Sequence, residues 1–220
     1  MLRAAGVGVG DEVVVPAFGN VEVAEAVTLA GALPVFADID PATYCLDPSA
    51  VEAAITPRTA AAVVVHRFGR PADVVRIHAL GQRHGLLVLE QGESEAPYDE
   101  IAQRRQRAGY LDARLKGVRT PEGGVGHTYQ QYVVRVPGNG RPDRDAFARA
   151  VRAKGVDCRV PVKTPVHRLP GFRQCVALPE TERAADETLA LPVDASLTKR
   201  DMQRIVSACN ALGGLLQPAF

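Results

Sequence analysis

Over the first ninety residues, apolar runs without polar alternation are separated by helix-like segments. Glu12-Val-Val-Val-Pro16 is a short apolar run stopped by proline, which predicts a buried strand. Residues 21–30 have helix-forming composition and end at Gly31. Leu33-Pro-Val-Phe-Ala37 predicts a second strand. Asp47-Pro48 opens a helix with an N-cap aspartate and a proline at the first helical position. That helix is expected to reach Ile55 and stop before Pro57. Residues 60–66 and 86–90 are apolar throughout and read as third and fourth strands, with a helix over 72–84 between them. Strands apolar in every position need cover on both faces, so the pattern predicts a mostly parallel sheet between helices.

The pattern then changes. A charged, Arg-rich stretch over 99–116 predicts one long exposed helix, and a Gly-rich loop follows at 121–126. Residues 128–136 partly alternate and predict a strand, as does 156–160. Helices are expected over 141–154, capped near Asp143, and over 180–188 and 198–212. A proline-punctuated loop covers 161–172. The fold class expected is α/β: a shortened, mostly parallel sheet with helices on both faces, plus a small C-terminal α+β domain. The division is placed after residue 97, giving 1–97 as the larger unit and 98–220 as the linking helix and small domain.

Composition narrows the function. Apolar residues make up 46% of the 220 and charged residues 23%, as in a globular domain. No run approaches the roughly 20 apolar residues of a membrane span, and no apolar core long enough for a signal peptide follows Met1. A cytoplasmic protein is therefore expected, without membrane association. The net charge of +1 gives no electrostatic case for nucleic acid. Cys45, Cys158, Cys175 and Cys209 form no C-x-x-C pair and are expected to be scattered free thiols. No metal site is expected. Gly6-Val-Gly-Val-Gly10 lacks the spacing and the preceding strand of a nucleotide loop. Arg104, Arg105 and Arg107 read as a solvated helix face.

Five strings in order carry a resemblance. They are Gly10-Asp-Glu-Val13 with Pro16, Pro34-Val-Phe-Ala-Asp38-Ile-Asp40, His66-Arg-Phe-Gly69-Arg-Pro-Ala-Asp73, Thr164-Pro-Val-His167-Arg-Leu-Pro170, and residues 186–192 followed by Leu197-Thr198. Together they resemble the DegT/DnrJ/StrS sugar aminotransferases. The resemblance implies the fold-type I architecture, pyridoxal phosphate as cofactor, amination of keto-sugars that are usually nucleotide-linked, and action as a dimer. It also implies a segment ahead of Gly10 that holds the cofactor phosphate, and a central stretch carrying the Schiff-base lysine. Neither is found here, so a truncated and internally deleted member is expected.

Transamination on pyridoxal phosphate needs a lysine amine, a carboxylate facing the pyridine nitrogen, and donors for the phosphate. The resemblance places the pyridine-facing carboxylate at Gln91 and a further cofactor-side position at Ser94. Both positions are degenerate: a neutral amide does not stabilise a pyridinium as an anion would. The ring-stacking aromatic falls near Gly19-Asn20, and Phe18 is expected to pack in the core. Lys116, Lys154, Lys163 and Lys199 are expected to be surface lysines, Lys163 being the least ordinary because it adjoins the loop of His167. His66 ends an apolar strand, where parallel sheets place binding residues. Arg159 and His167 match family residues on the substrate side. His78, His84 and His127 read as surface residues of helices and turns.

The expected protein is a degenerate aminotransferase with no catalytic residue and no cofactor bound alone. Its expected role is a non-catalytic partner or remnant. The other reading is a transaminase of a keto-sugar, completed with pyridoxal phosphate by another chain. Its expected partners are further copies of itself or a full-length homologue, with a nucleotide-sugar as the small molecule. Removing strands from such a sheet is expected to leave an open edge and bare apolar surface.

Overall fold

The computed structural model describes residues 2–92, 96–124, 126–138 and 141–213. It forms two compact units. The first comprises 1–67, 71–93 and 164–182, and the second 68–70, 94–163 and 183–220. The chain thus passes between the units several times, not once after residue 97.

The first unit holds a four-stranded parallel sheet. Its strands are β1 (Glu12–Pro16), β2 (Leu33–Ala37), β3 (Thr59–Val65) and β4 (Leu87–Gln91), in the order β2-β1-β3-β4. Helices α1 (Val21–Ala30), α2 (Pro48–Ala54) and α3 (Val74–His84) connect them. Successive strand residues point to opposite faces, so one apolar run serves two cores. Val13, Val15, Val63 and Val65 pack with Val23, Ala24 and Val27 of α1. Val14, Ala62 and Val64 pack with Val51 of α2 and with Ile77 and Leu80 of α3. The Asp47 carboxylate accepts from the Ser49 backbone N–H at 3.0 Å, and Asp73 caps α3 through the Arg76 N–H at 3.1 Å.

One buried charge sits at the start of β1. Glu12 is only 5% exposed at its side chain and accepts hydrogen bonds from Thr56 and Arg58. These bonds hold its carboxyl below the usual range. Buried carboxylates persist only when satisfied in this way.

The segment 164–182 belongs to the first unit because Asp38 holds it there. Asp38 follows β2, and its carboxylate accepts from the backbone N–H groups of Glu180 (3.0 Å) and Thr181 (2.8 Å) and from the Thr181 hydroxyl (2.7 Å). Those N–H groups open helix α6 (Pro179–Glu187, so numbered in the whole chain), whose first-turn donors have no intrahelical partner. The carboxylate supplies both the acceptor and the negative charge that a helix N-terminus favours.

The second unit builds on α4 (Tyr98–Asp112), α5 (Arg141–Ala153), α7 (Lys199–Gly213) and an antiparallel pair, β5 (Tyr132–Arg135) with β6 (Thr188–Leu191). Leu111, Tyr132, Val134, Phe147, Val151, Leu189, Ile205 and Cys209 form its core. Arg144 is buried, and its Nη1 donates to the carbonyls of Ala185 (3.0 Å) and Thr188 (2.9 Å), satisfying the end of α6.

Several expectations are corrected here. The strand expected over 128–136 is confined to Tyr132–Arg135, because Tyr129 takes a positive φ (49°) and the N–H groups of Thr128 and Gln131 donate to Gly69 O and Phe68 O. Residues 156–160 make only an isolated bridge, Arg159 with Ala190, with Asp157 and Arg159 projecting into solvent. Thr188 ends no helix. It begins β6, and its hydroxyl donates back to Ala184 O at 2.7 Å.

Candidate functional site

In open parallel sheets ligands settle outside the carboxyl ends of the strands, where the strand order reverses. Here that point lies between β1 and β3. The chain leaves β1 through Ala17, Phe18, Gly19 and Asn20, and leaves β3 through His66 and Arg67. Asn20 adopts a left-handed conformation (φ 59°), and its side-chain oxygen accepts a hydrogen bond from Arg67. The Arg67 guanidinium lies over the Phe18 ring, 5.7 Å from its centroid. Phe18 is buried, as expected, and stacks on Tyr44 at 5.7 Å. The position expected for a stacking aromatic is thus an amide held by a guanidinium.

His66 and Gln91 are brought together at the neighbouring strand ends. The His66 backbone N–H donates to Gln91 O at 3.1 Å. His66 Nδ1 accepts from the Ala72 N–H at 3.0 Å, which leaves the ring proton of the neutral form on Nε2. That Nε2 faces Glu90 Oε2 at 3.7 Å, while Glu90 Oε1 meets His78 Nε2 at 2.7 Å. The result is a His–Glu–His chain across β3, β4 and α3. It is not built for a metal, because His66 Nε2 offers a proton where a ligand needs a lone pair. Among the described residues no group of histidine, cysteine and carboxylate side chains is arranged to hold a metal ion. The Gln91 side chain is exposed, and Ser94 lies outside the described residues.

Arg159 and His167 are placed far apart in environment. Arg159 is exposed, pairs with Asp157 at 3.3 Å, and lines a cleft of about 470 Å³ in the second unit with Gln130, Gln131 and Asp194. An exposed pair of this kind adds little stability. His167 is 1% exposed, in a short turn of the first unit. Its Nε2 meets Glu182 Oε1 at 3.3 Å, and its Nδ1 is a buried atom with no hydrogen-bond partner among the described residues. All four lysines, Lys116, Lys154, Lys163 and Lys199, are exposed.

His127 corrects the surface reading given to it. It is 3% exposed and stacks on Tyr129, with ring centroids 3.8 Å apart. Its Nδ1 accepts from the Tyr129 N–H at 3.1 Å and also lies 3.1 Å from Gly69 O. Burial pulls its pKa down to about 4. His78 and His84 are exposed, as read. Tyr129, two residues on, was the available signal, since its ring is the one that His127 stacks on. Asp38 and Glu90 offered no comparable sign of their bonding.

The model of the DegT/DnrJ/EryC1/StrS aminotransferase family matches residues 1–92 and 98–210. The chain belongs to that family. A pleiotropic regulatory protein of Geobacillus stearothermophilus is 29% identical over 299 aligned residues, taking in 93% of this chain and 79% of that protein. The alignment is longer than the 220-residue chain, so part of that relative has no counterpart here. An L-glutamine:2-deoxy-scyllo-inosose aminotransferase of Streptomyces kanamyceticus is 54% identical over 89 residues, which are 40% of this chain and 21% of that enzyme. The chain thus matches only about a fifth of that relative's length. In structure, the aminotransferase TlmJ from Streptoalloteichus hindustanus superposes with a TM-score of 0.87 at 25% identity, over 98% of this chain and 83% of that one. NtdA from Bacillus subtilis, solved with bound cofactor PMP, gives 0.86 at 19% identity over 97% and 70%, a likeness of fold. The architecture is therefore that of the fold-type I aminotransferases, in a chain shorter than its homologues. Sugar aminotransferases are members of this family, and the family uses pyridoxal phosphate. No helix among the described residues is long and apolar enough to cross a membrane.

Proposed function

We propose that this chain is a degenerate sugar aminotransferase that does not transaminate by itself and acts as a non-catalytic partner. The observation that carries this reading is the placement of its lysines. All four are exposed, and an exposed amine on a mobile stem is not aimed at a cofactor. The strand ends agree. Gln91 offers an exposed neutral amide where a carboxylate is needed, and Asn20, bound by Arg67, stands where an aromatic would stack. The guanidinium of Arg67 beside Phe18 adds positive charge to a site that would have to stabilise a pyridinium. The residues present do not fit pyridoxal phosphate.

A second reading has its own support. The 89-residue stretch at 54% identity to an enzyme named for aminating 2-deoxy-scyllo-inosose is well above the identity along the whole chain. On that reading the chain contributes to amination of a keto-sugar, free or nucleotide-linked, with lysine and phosphate donors from another chain. One experiment separates the two. The purified protein is assayed with pyridoxal phosphate, glutamine or glutamate, and keto-sugar acceptors, alone and mixed with a complete family member. The expected result is no turnover alone and no gain over the complete member. Turnover alone overturns the proposal, and a gain on mixing moves it to the second reading.

A further inference from the structure

The two edges of the parallel sheet are finished differently. β2 carries Pro34, which has no N–H to offer another strand. The Pro34 carbonyl already accepts from Gln174 Nε2 at 2.7 Å. Among the described residues β4 has no such device. Its five residues, Leu87–Gln91, pair with β3 on one side only and contain neither proline nor lysine. Its single charge, Glu90, is held by His78. Edges of this kind are what soluble proteins ordinarily blunt.

The surface beside the edge is apolar. Val88 packs toward α3 on one face. On the α1 face Leu87 and Leu89 are only half-buried, and a cleft of about 710 Å³ opens there, lined mainly by apolar side chains such as Val23, Leu29, Val63 and Leu89, with Arg3 and Glu22 also on its wall. Leu29 is 73% exposed. A parallel strand is ordinarily covered on both faces. The family match pauses at residue 92, one residue past β4, and resumes at 98. The interruption falls at the end of the strand whose outer edge pairs with no other strand among the described residues.

We propose that this edge joins two copies of the chain, with β4 antiparallel to β4 of the second copy, so that two four-stranded sheets continue as one. The charge pattern selects this occupant and this direction. Parallel self-pairing would set Glu90 against Glu90, which is destabilising. An antiparallel ladder centred on Leu89 sets Leu89 against Leu89, Val88 against Glu90 and Leu87 against Gln91, and no like charges face each other. The two-fold axis of such a ladder stands perpendicular to the sheet, so both α1 faces lie on the same side. Leu87 and Leu89 of both copies then form one apolar strip between the two clefts. Growth stops at two copies, because the outer edges are β2 strands closed by Pro34 and Gln174. The inference is independent of whether the chain binds a cofactor.

Sedimentation velocity over a range of concentrations, with circular dichroism as the check on folding, is the test. A dimer is expected, with Leu89→Lys shifting it to monomer and Leu33→Lys, on the opposite edge, leaving it intact. A second variant covers the case where Leu89→Lys fails to fold. In a Cys175→Ser background, which removes the exposed native thiol, Leu89→Cys is treated with oxidised glutathione. Directly opposed Cα atoms in an antiparallel ladder lie about 4.5–5.5 Å apart, within disulfide range. A disulfide-linked dimer is expected for Leu89→Cys and none for Val75→Cys, exposed on α3. A protein that stays monomeric throughout, or a dimer whose Leu89→Cys variant does not cross-link, overturns the proposal. So does a monomer that pairs only with a complete family member.

Discussion

Gly69→Ala destabilises the protein by roughly 2–5 kcal/mol, a sum of left-handed strain and overpacking. Gly69 has φ +82°, a conformation a side chain resists. Its carbonyl accepts from the Thr128 N–H at 2.7 Å and from the Thr128 hydroxyl at 3.2 Å, so the backbone is pinned where it stands. A Cβ added there would lie 2.6 Å from the Gln130 nitrogen and 3.0 Å from the Tyr129 nitrogen. Both are main-chain atoms in a turn fixed by hydrogen bonds, and neither can swing aside as a side chain does. Tyr129 itself has positive φ (49°), so the turn has no slack on that side. Urea unfolding of the variant checks this. Alanine at Gly85, where φ is +69° and no atom lies within 4 Å of the added Cβ, meets only the strain and serves as the comparison.

The second large effect is on acid stability and comes from the same turn. The ordinary histidine pKa is 6.5, and burial, opposed by the carbonyl of Gly69, brings that of His127 to about 4. Between those values the unfolded chain carries a proton on this ring and the folded chain does not. The unfolded state therefore binds more protons in that window, and stability rises with pH across it. Falling from pH 6.5 to 4 costs on the order of 3 kcal/mol through this one group. Protonation also removes the Nδ1 lone pair that accepts from the Tyr129 N–H. His127→Gln is expected to flatten the dependence in this window, leaving the carboxylate-driven loss at lower pH. Denaturant unfolding of both proteins at steps from pH 7 to 4 measures the difference. Equal slopes for the two would place the acid sensitivity elsewhere.

The parallel sheet was legible because its signals are local. An apolar run of five to seven residues, a helix stopped by glycine at 31 or 85, and an aspartate-proline start at 47 each settle their own segment. The second unit was harder to read because its order comes from distant residues. β6 follows α6 with no glycine or proline between them, and only its pairing with β5 marks it as a strand. Residues 128–136 partly alternate, but the N–H groups of Thr128 and Gln131 go to Gly69 O and Phe68 O and not into a strand ladder. The assignment of 164–182 to the first unit depends on Asp38, more than a hundred residues earlier in the chain.

The candidate site divides in the same way. That His66 and Gln91 share a strand end followed from the strand positions, and the structure joins them through a backbone hydrogen bond. What each side chain touches did not follow. Asn20 is turned to Arg67 by a left-handed backbone, and His66 has its tautomer fixed by the Ala72 N–H. His167 and Arg159 were both matched to the substrate side by the resemblance, yet His167 is enclosed in a turn with Glu182 while Arg159 lines an open cleft. A motif gives residue types and spacing. Burial and rotamer come from elements that pack from elsewhere in the sequence.

On the proposed function, this family member no longer holds pyridoxal phosphate through a lysine of its own. A titration of the folded protein with pyridoxal phosphate, followed by visible absorption, borohydride reduction and peptide mapping, tests it most directly. The account predicts no saturable Schiff-base band, with only scattered low-level labelling of the exposed lysines. A stoichiometric reducible band mapping to one residue, Lys163 above all, would contradict it and return the chain to the working aminotransferases.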